Sequence, residues 1–198
     1  MLPGDGTTAF VLGTGPDLPV EALGRLDSYF TIGVNRIWRT GFVPTVSFWL
    51  DGGIYDENPA HFDQTLCVCD ASVVARPEHV GLRLRVGMLP RFLNPNFLYH
   101  LPNTGAVAAL WAVSIGCYPV VLLGMGCRDD GRDRRQLAAM REGLRAIKAA
   151  DYRPRGACFP TLWQWSGHLT EFDQNLRSYY LRPADTGALV EDLREFYR

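Results

Sequence analysis

Residues 8–16 read Thr8-Ala9-Phe10-Val11-Leu12-Gly13-Thr14-Gly15-Pro16, an apolar run closed by a glycine-rich turn. So short an apolar run is the mark of a buried strand, and Gly-Thr-Gly-Pro predicts a tight turn behind it. The pattern recurs downstream. Tyr29–Val34 (YFTIGV) reads as a second buried strand ending at Asn35, and Thr45–Leu50 (TVSFWL) as a third ending at Asp51. Between them, Pro19 suits the first turn of a short helix, and residues 36–40 form a brief helical stretch. Leu66–Cys69 and Leu82–Val86 read as short strands, and Leu89–His100, rich in proline, asparagine and aromatics, as a loop. Thr104–Ile115 is a helix of small residues, capped by Asn103 or Thr104 and stopped by Gly116, and Pro119–Leu123 is the strand after it. A helix from about Gln136 to Ala149 follows, then an irregular stretch, Pro154–Gly167, carrying Trp163 and Trp165. The chain closes with a helix at Thr170–Arg177, a strand at Tyr179–Leu181 and a helix at Thr186–Tyr197. Strands alternating with helices predict an α/β fold, a three-layer sandwich with a mostly parallel sheet and helices on both faces. No repeat, low-complexity run or linker divides residues 1–198, so a single domain is expected.

The composition narrows the function classes. The hydrophobic fraction of 47% with 21% charged residues fits a globular core rather than disorder. A formal net charge of −1 argues against a partner held by its phosphate backbone, so no nucleic acid is expected. All basic residues except Lys148 are arginines. No segment approaches the roughly 18 consecutive apolar residues of a membrane span, and the first residues lack the pattern of a signal peptide. Five cysteines lie scattered among apolar residues without paired CxxC spacing, which predicts buried thiols, no metal site and a cytoplasmic setting.

Three strands in succession end on glycine or polar residues, and in open α/β sheets ligands collect at the carboxyl ends of strands. Glycines between a strand end and a helix start let backbone N–H groups approach an anion, so Gly13, Thr14, Gly15 and Pro16 are candidate phosphate contacts. The loop lacks both the Gly-Lys-Ser/Thr ending of a Walker motif and the GxGxxG fingerprint. Asn35 and Asp51 are turn formers by type, but as a pair beside a glycine loop they suit a sugar or base. Asp51 is also the residue that could bridge Mg²⁺ to a phosphate. His168, just ahead of a helix, has the pKa range of a proton acceptor near neutrality; His61, His79 and His100 have weaker claims. Arg128 and Arg132, with Arg134 and Arg135, lie in or after a polar loop. They serve either as a phosphate clamp or as a solvated cluster paired with Asp129, Asp130 and Asp133.

Several of these stretches resemble one superfamily. Phe10-Val-Leu-Gly-Thr-Gly-Pro-Asp-Leu18, Thr31-Ile-Gly-Val-Asn-Arg-Ile37 and Val43-Pro-Thr-Val-Ser-Phe-Trp-Leu-Asp51 occur in its order. So does Thr104-Gly-Ala-Val-Ala-Ala-Leu-Trp-Ala-Val-Ser-Ile-Gly-Cys-Tyr-Pro-Val-Val-Leu-Leu-Gly124. The likeness is to a Rossmann-like superfamily with two branches. One holds bacterial lipooligosaccharide sialyltransferases, which use CMP-sugar donors without a metal. The other holds archaeal-type 6-hydroxymethylpterin diphosphokinases and motility-associated glycosyltransferase-like proteins. It covers roughly the first 50 residues and again about 103–124. The resemblance implies that Gly13–Pro16 cradle the donor phosphate, that Asn35 contacts the nucleotide and that Thr104 and Gly105 line the cytidine or substrate pocket. It places His168 as general base toward the acceptor hydroxyl.

The sequence also departs from the pattern. Thr14 stands where the sialyltransferases carry asparagine, and Gly126 where both branches place aspartate. The loop after Gly126 lacks the phosphate-holding tyrosines, leaving Arg128 and Arg132 as substitutes. Asp51 after Val43-Pro-Thr fits the diphosphokinase branch better. The expected function is a nucleotide-dependent transferase, a glycosyltransferase with a CMP-sugar donor and a hydroxyl acceptor. It has no permanently bound cofactor. One alternative is an ATP- and Mg²⁺-dependent diphosphokinase acting on a pterin-like alcohol. Another is a degenerate, non-catalytic nucleotide-binding or interaction domain. Trp163, Trp165, Tyr179 and Tyr180 are core residues by default; an acceptor platform or a contact in a homo-oligomer is the other use of such aromatics.

Overall fold

In the first half of the chain the apolar runs become strands β1 (Ala9–Leu12), β2 (Phe30–Val34) and β3 (Val46–Trp49), each buried along its whole length. Strands covered on both faces read as continuous apolar runs rather than alternating ones. The computed structural model describes residues 6–126, 134–152, 162–164 and 185–198. Five more strands follow: β4 (Leu66–Asp70), β5 (Val80–Arg85), β6 (Phe97–Tyr99), β7 (Val120–Leu123) and β8 (Leu162–Gln164). They form one eight-stranded sheet in the order β6-β5-β4-β3-β2-β1-β7-β8. Every pairing is parallel, as a Rossmann-like α/β fold requires.

Among the described residues the helices are α1 (Ile54–Glu57), α2 (Pro59–Phe62), α3 (Thr104–Ser114), α4 (Arg134–Ala150) and α5 (Thr186–Phe196). Side chains alternate across each strand, and the two faces are covered unequally. Ala9, Val11, Phe30, Ile32, Val46, Phe48, Val120 and Leu122 pack with α3, α4 and α5 in the main core. On the opposite face Phe10, Leu12, Val121 and Leu123 meet the 3₁₀ turn Val20–Leu26. Trp49, Cys67 and Cys69 meet α1 and α2. The short helix expected after Pro19 is thus a 3₁₀ turn, and that layer is thin.

α3 is buried on nearly all sides, which explains its lack of a polar face. A Cβ on Gly143 would lie 2.6 Å from the Ala106 Cβ, so Gly143 is what lets α4 approach α3. Two strands arise where loop or irregular chain is expected. β6 is three residues long, and β8 pairs with β7 within the stretch read as irregular. Neither is long enough to show a period. The helix expected at Thr170–Arg177 and the strand at Tyr179–Leu181 lie outside the described residues.

Cys67, Cys69 and Cys117 are free, buried thiols. Burial pushes Cys67 up to about 11 and Cys69 to about 12. No described helix is long and apolar enough to cross a membrane. The closing helix is tied down by Tyr197, whose hydroxyl accepts from Trp111 Nε1 at 3.1 Å and donates to the buried Pro95 carbonyl at 2.7 Å. Tyr197→Phe leaves both groups without that partner, which costs about 1–3 kcal/mol. A lowered urea midpoint at unchanged slope is the expected result.

Candidate functional site: a cleft at the topological switch point

The strand order reverses at β1, which has β2 on one side and β7 on the other. At such a switch point the segments leaving the two neighbouring strands diverge and open a crevice at their carboxyl ends. Here the crevice is a cleft of about 860 Å³, within the range of small-molecule sites. Gly13, Thr14, Gly15 and Pro16 reach it from β1, Asn35 from β2, Asp51 from β3, and Thr104 and Gly105 from the start of α3. The structure therefore brings these eight candidates to one place. Arg128, Arg132 and His168 lie outside the described residues.

The glycines of this turn are held against the loop that follows β7. Gly13 N–H donates to Leu123 O at 2.8 Å and Gly15 N–H to Gly124 O at 2.8 Å. Gly126 N–H donates to Asp17 Oδ1 at 2.7 Å. A Cβ on Gly15 would lie 2.7 Å from both Gly124 O and Asp17 Oδ1, and one on Gly126 would lie 2.5 Å from Asp17 Oδ1. The two loops lie backbone against backbone, and neither accommodates a side chain there. Thr14, between Gly13 and Gly15, is exposed, and its N–H and hydroxyl have no protein partner among the described residues. Gly126, where the resemblance leads one to expect aspartate, is fixed by the same contact.

Asn35 is the most constrained residue in the cleft. Its φ is 51°, in the left-handed region that few non-glycine residues adopt and that asparagine tolerates best. Its N–H donates to Phe48 O at 2.9 Å. Its Oδ1, by contrast, is buried with no hydrogen-bond partner among the described residues. A buried polar atom without a partner costs free energy, and Trp38 Nε1, His61 Nε2 and His79 Nδ1 share that condition among the described residues. Beside it Arg36 donates Nε–H to Glu57 Oε2 at 2.7 Å and pairs with Oε1 through its second nitrogen. That hydrogen bond holds the Glu57 carboxyl below its usual range and raises the Arg36 guanidinium.

Several lining residues carry no signal of their own in the sequence. His100 follows β6 and is exposed, while Gln136 and Met140 come from α4. Asn103 accepts from Gly105 N–H at 2.8 Å, capping α3, and its amide donates to Gln136 Oε1 at 3.4 Å. A Cβ on Gly105 would meet Met140 Cε at 2.8 Å and Met125 Sδ at 2.9 Å. His61 and His79 sit away from the cleft, and burial lowers the pKa of both. Among the described residues Asp51 is the one carboxylate lining the cleft, and no group of three His, Cys, Asp or Glu among them could hold a metal ion.

The fold and the position of the cleft define a Rossmann-like α/β protein with a switch-point site. No family model, curated protein or solved structure matches the chain. The loop contact carries a direct expectation. Gly15→Ala forces the two loops apart, lowering stability by about 1–3 kcal/mol in chemical denaturation, whereas Thr14→Ala, at an exposed position, leaves it within about 0.5 kcal/mol of the wild type.

Proposed function

We propose that the protein is a nucleotide-dependent transferase, similar in chemistry to the CMP-sugar sialyltransferases, whose cleft holds the nucleotide donor. The observation that carries this reading is the unpaired, buried Oδ1 of the left-handed Asn35 at the end of β2. An amide oxygen so placed accepts from an exocyclic base amine or a ribose hydroxyl. Two further features suit a phosphate. Thr14 offers an unpaired N–H and hydroxyl, and the Asn103-capped amino end of α3 brings the positive end of the helix dipole to the same cleft.

In the proposed reaction an acceptor hydroxyl oxygen bonds to the anomeric carbon of the donor sugar as the bond from that carbon to the phosphate oxygen breaks. An imidazole takes the hydroxyl proton, and the departing phosphate keeps the electron pair. His168 is the base that the resemblance implies. His100 is the histidine on the described cleft wall and is the second candidate. A Mg²⁺ carried in with ATP would find Asp51 as its carboxylate ligand, the role required by the alternative of diphosphate transfer to a pterin-like alcohol.

Thermal unfolding with CMP, CDP, UDP, GDP and ATP, each with and without Mg²⁺, tests the reading. Metal-independent stabilisation by CMP is expected, reaching about 2.7 kcal/mol at a hundredfold excess over Kd. Stabilisation that requires ATP and Mg²⁺ together would transfer the assignment to the diphosphokinase. No response to any nucleotide would leave a non-catalytic interaction domain. Asn35→Gly sharpens the test, because glycine adopts a φ of 51° without strain. That variant should fold normally and bind CMP at least tenfold more weakly.

For catalysis, His168→Ala should lower turnover a hundredfold or more, within the usual range for a general base, with donor affinity retained. If His100→Ala shows that loss and His168→Ala does not, the base is His100.

A further inference from the structure

Loop 86–96 starts at the carboxyl end of β5, the end of the sheet that carries the cleft, and three of its side chains are unusually exposed. Met88 is 97% exposed, Val86 83% and Phe92 78%, the three highest values among the large exposed apolar residues. This is not a loose segment. Leu89 and Leu93 of the same loop pack against the main core. Tyr152 donates its hydroxyl to Pro90 O at 2.7 Å, Asn94 N–H donates to the Tyr99 hydroxyl at 3.1 Å, and Tyr197 holds Pro95. The loop is pinned from below, so the outward apolar set is part of its folded form.

The surroundings are basic. Arg83 and Arg85 alternate along the exposed face of β5, and Arg91 sits beside Phe92. None of the three forms an ion pair among the described residues. The sequence holds no aspartate or glutamate between Glu78 and Asp129, so β5, the loop and β6 themselves contribute only positive side-chain charge; the carboxylates of Glu78 and Glu191 flank the other end of β5.

We propose that this loop docks the protein on an anionic lipid bilayer, with Val86, Met88 and Phe92 entering the headgroup boundary and Arg83, Arg85 and Arg91 meeting lipid phosphates. Interfacial binding of this kind combines buried apolar area with attraction to anionic lipid. A second copy of the chain fits worse, because a two-fold contact through the loop sets Arg83, Arg91 and the Phe97-stacked Arg85 against their own copies. An extended acidic peptide needs a groove, whereas these side chains stand out from the surface. The proposal does not depend on the nucleotide reading. If both hold, the acceptor hydroxyl is one presented at a membrane surface, and that extension rests on the transferase assignment.

Co-sedimentation of the full chain with vesicles tests the proposal without any nucleotide. Binding to phosphatidylcholine vesicles containing phosphatidylglycerol is expected, with little binding to phosphatidylcholine alone and release as salt rises. The double variant Met88→Asp, Phe92→Asp should bind at least tenfold more weakly. Arg83→Gln and Arg91→Gln should each lose about fivefold, following the usual contribution of one arginine near an anionic surface. These positions are exposed, so melting temperatures should match the wild type; Val86→Asp serves as a second apolar variant if one does not. Equal binding to both vesicle types, unaffected binding by the aspartate variants, or no binding at all would overturn the proposal. A concentration-dependent dimer by light scattering, lost in the same variants, would assign the loop to contact between copies and overturn it as well.

Discussion

The backbone-on-backbone contact between Gly13–Gly15 and Gly124–Gly126 is the constraint on which the rest of the molecule depends. It joins the ends of β1 and β7, with Asp17 holding Gly126 from 109 residues away in sequence. The two strands flank the switch point, so the contact sets both the closure of the sheet centre and the shape of the cleft. It also changes the chemistry of the turn. The Gly13 and Gly15 amides are taken up within the protein, and Thr14, Asn35 and the start of α3 are left facing the cleft. A glycine-rich turn after a first strand thus has two physical causes that sequence alone does not separate: approach of a ligand and approach of another loop.

The unequal covering of the sheet follows from where the chain can place long helices. From β1 to β6 each strand lies beside its predecessor, with crossovers of 3₁₀ turns, four-residue helices and loop. The long helix α3 comes only when the chain must return from β6 to β7 on the far side of β1. It fills the centre of one face, and its small residues let the sheet and α4 both come close. Cys67 and Cys69 share the thin face under α1 and α2, where desolvation keeps them as thiols.

Much of this was legible in the sequence, for definable reasons. β1, β2, β3 and β7 are apolar runs bounded by glycine or polar residues, and Asn103-Thr104 followed by small residues marks α3 plainly. The grouping of Gly13, Asn35, Asp51 and Thr104 follows from strand ends in a parallel sheet. What was not legible depends on tertiary contact. β6 and β8 exist because a neighbouring strand pairs with three residues each, and the reading of Leu89–His100 as loop missed that pairing. His100 enters the cleft because β6 forms and ends there, so its weak standing in the sequence came from the missing strand. The thinness of the second layer, too, depends on packing that no local period records.

The distribution of polar groups along the sheet distinguishes its two ends. Toward the amino ends polar side chains are paired with one another. Thr45 N–H donates to Thr31 Oγ1 at 2.8 Å, Thr31 N–H to Thr45 Oγ1 at 3.2 Å, and Thr65 Oγ1 to Ser47 Oγ at 2.9 Å. At the carboxyl ends of β1, β2 and β3 the corresponding groups, Thr14, the Asn35 amide oxygen and Asp51, have no hydrogen bond among the described residues. A glycine at position 35 would adopt the left-handed backbone without strain and would remove the buried amide oxygen. The two ends of the sheet therefore differ in kind: polar side chains close on one another at the amino ends, and at the carboxyl ends of β1, β2 and β3 they face the switch-point cleft.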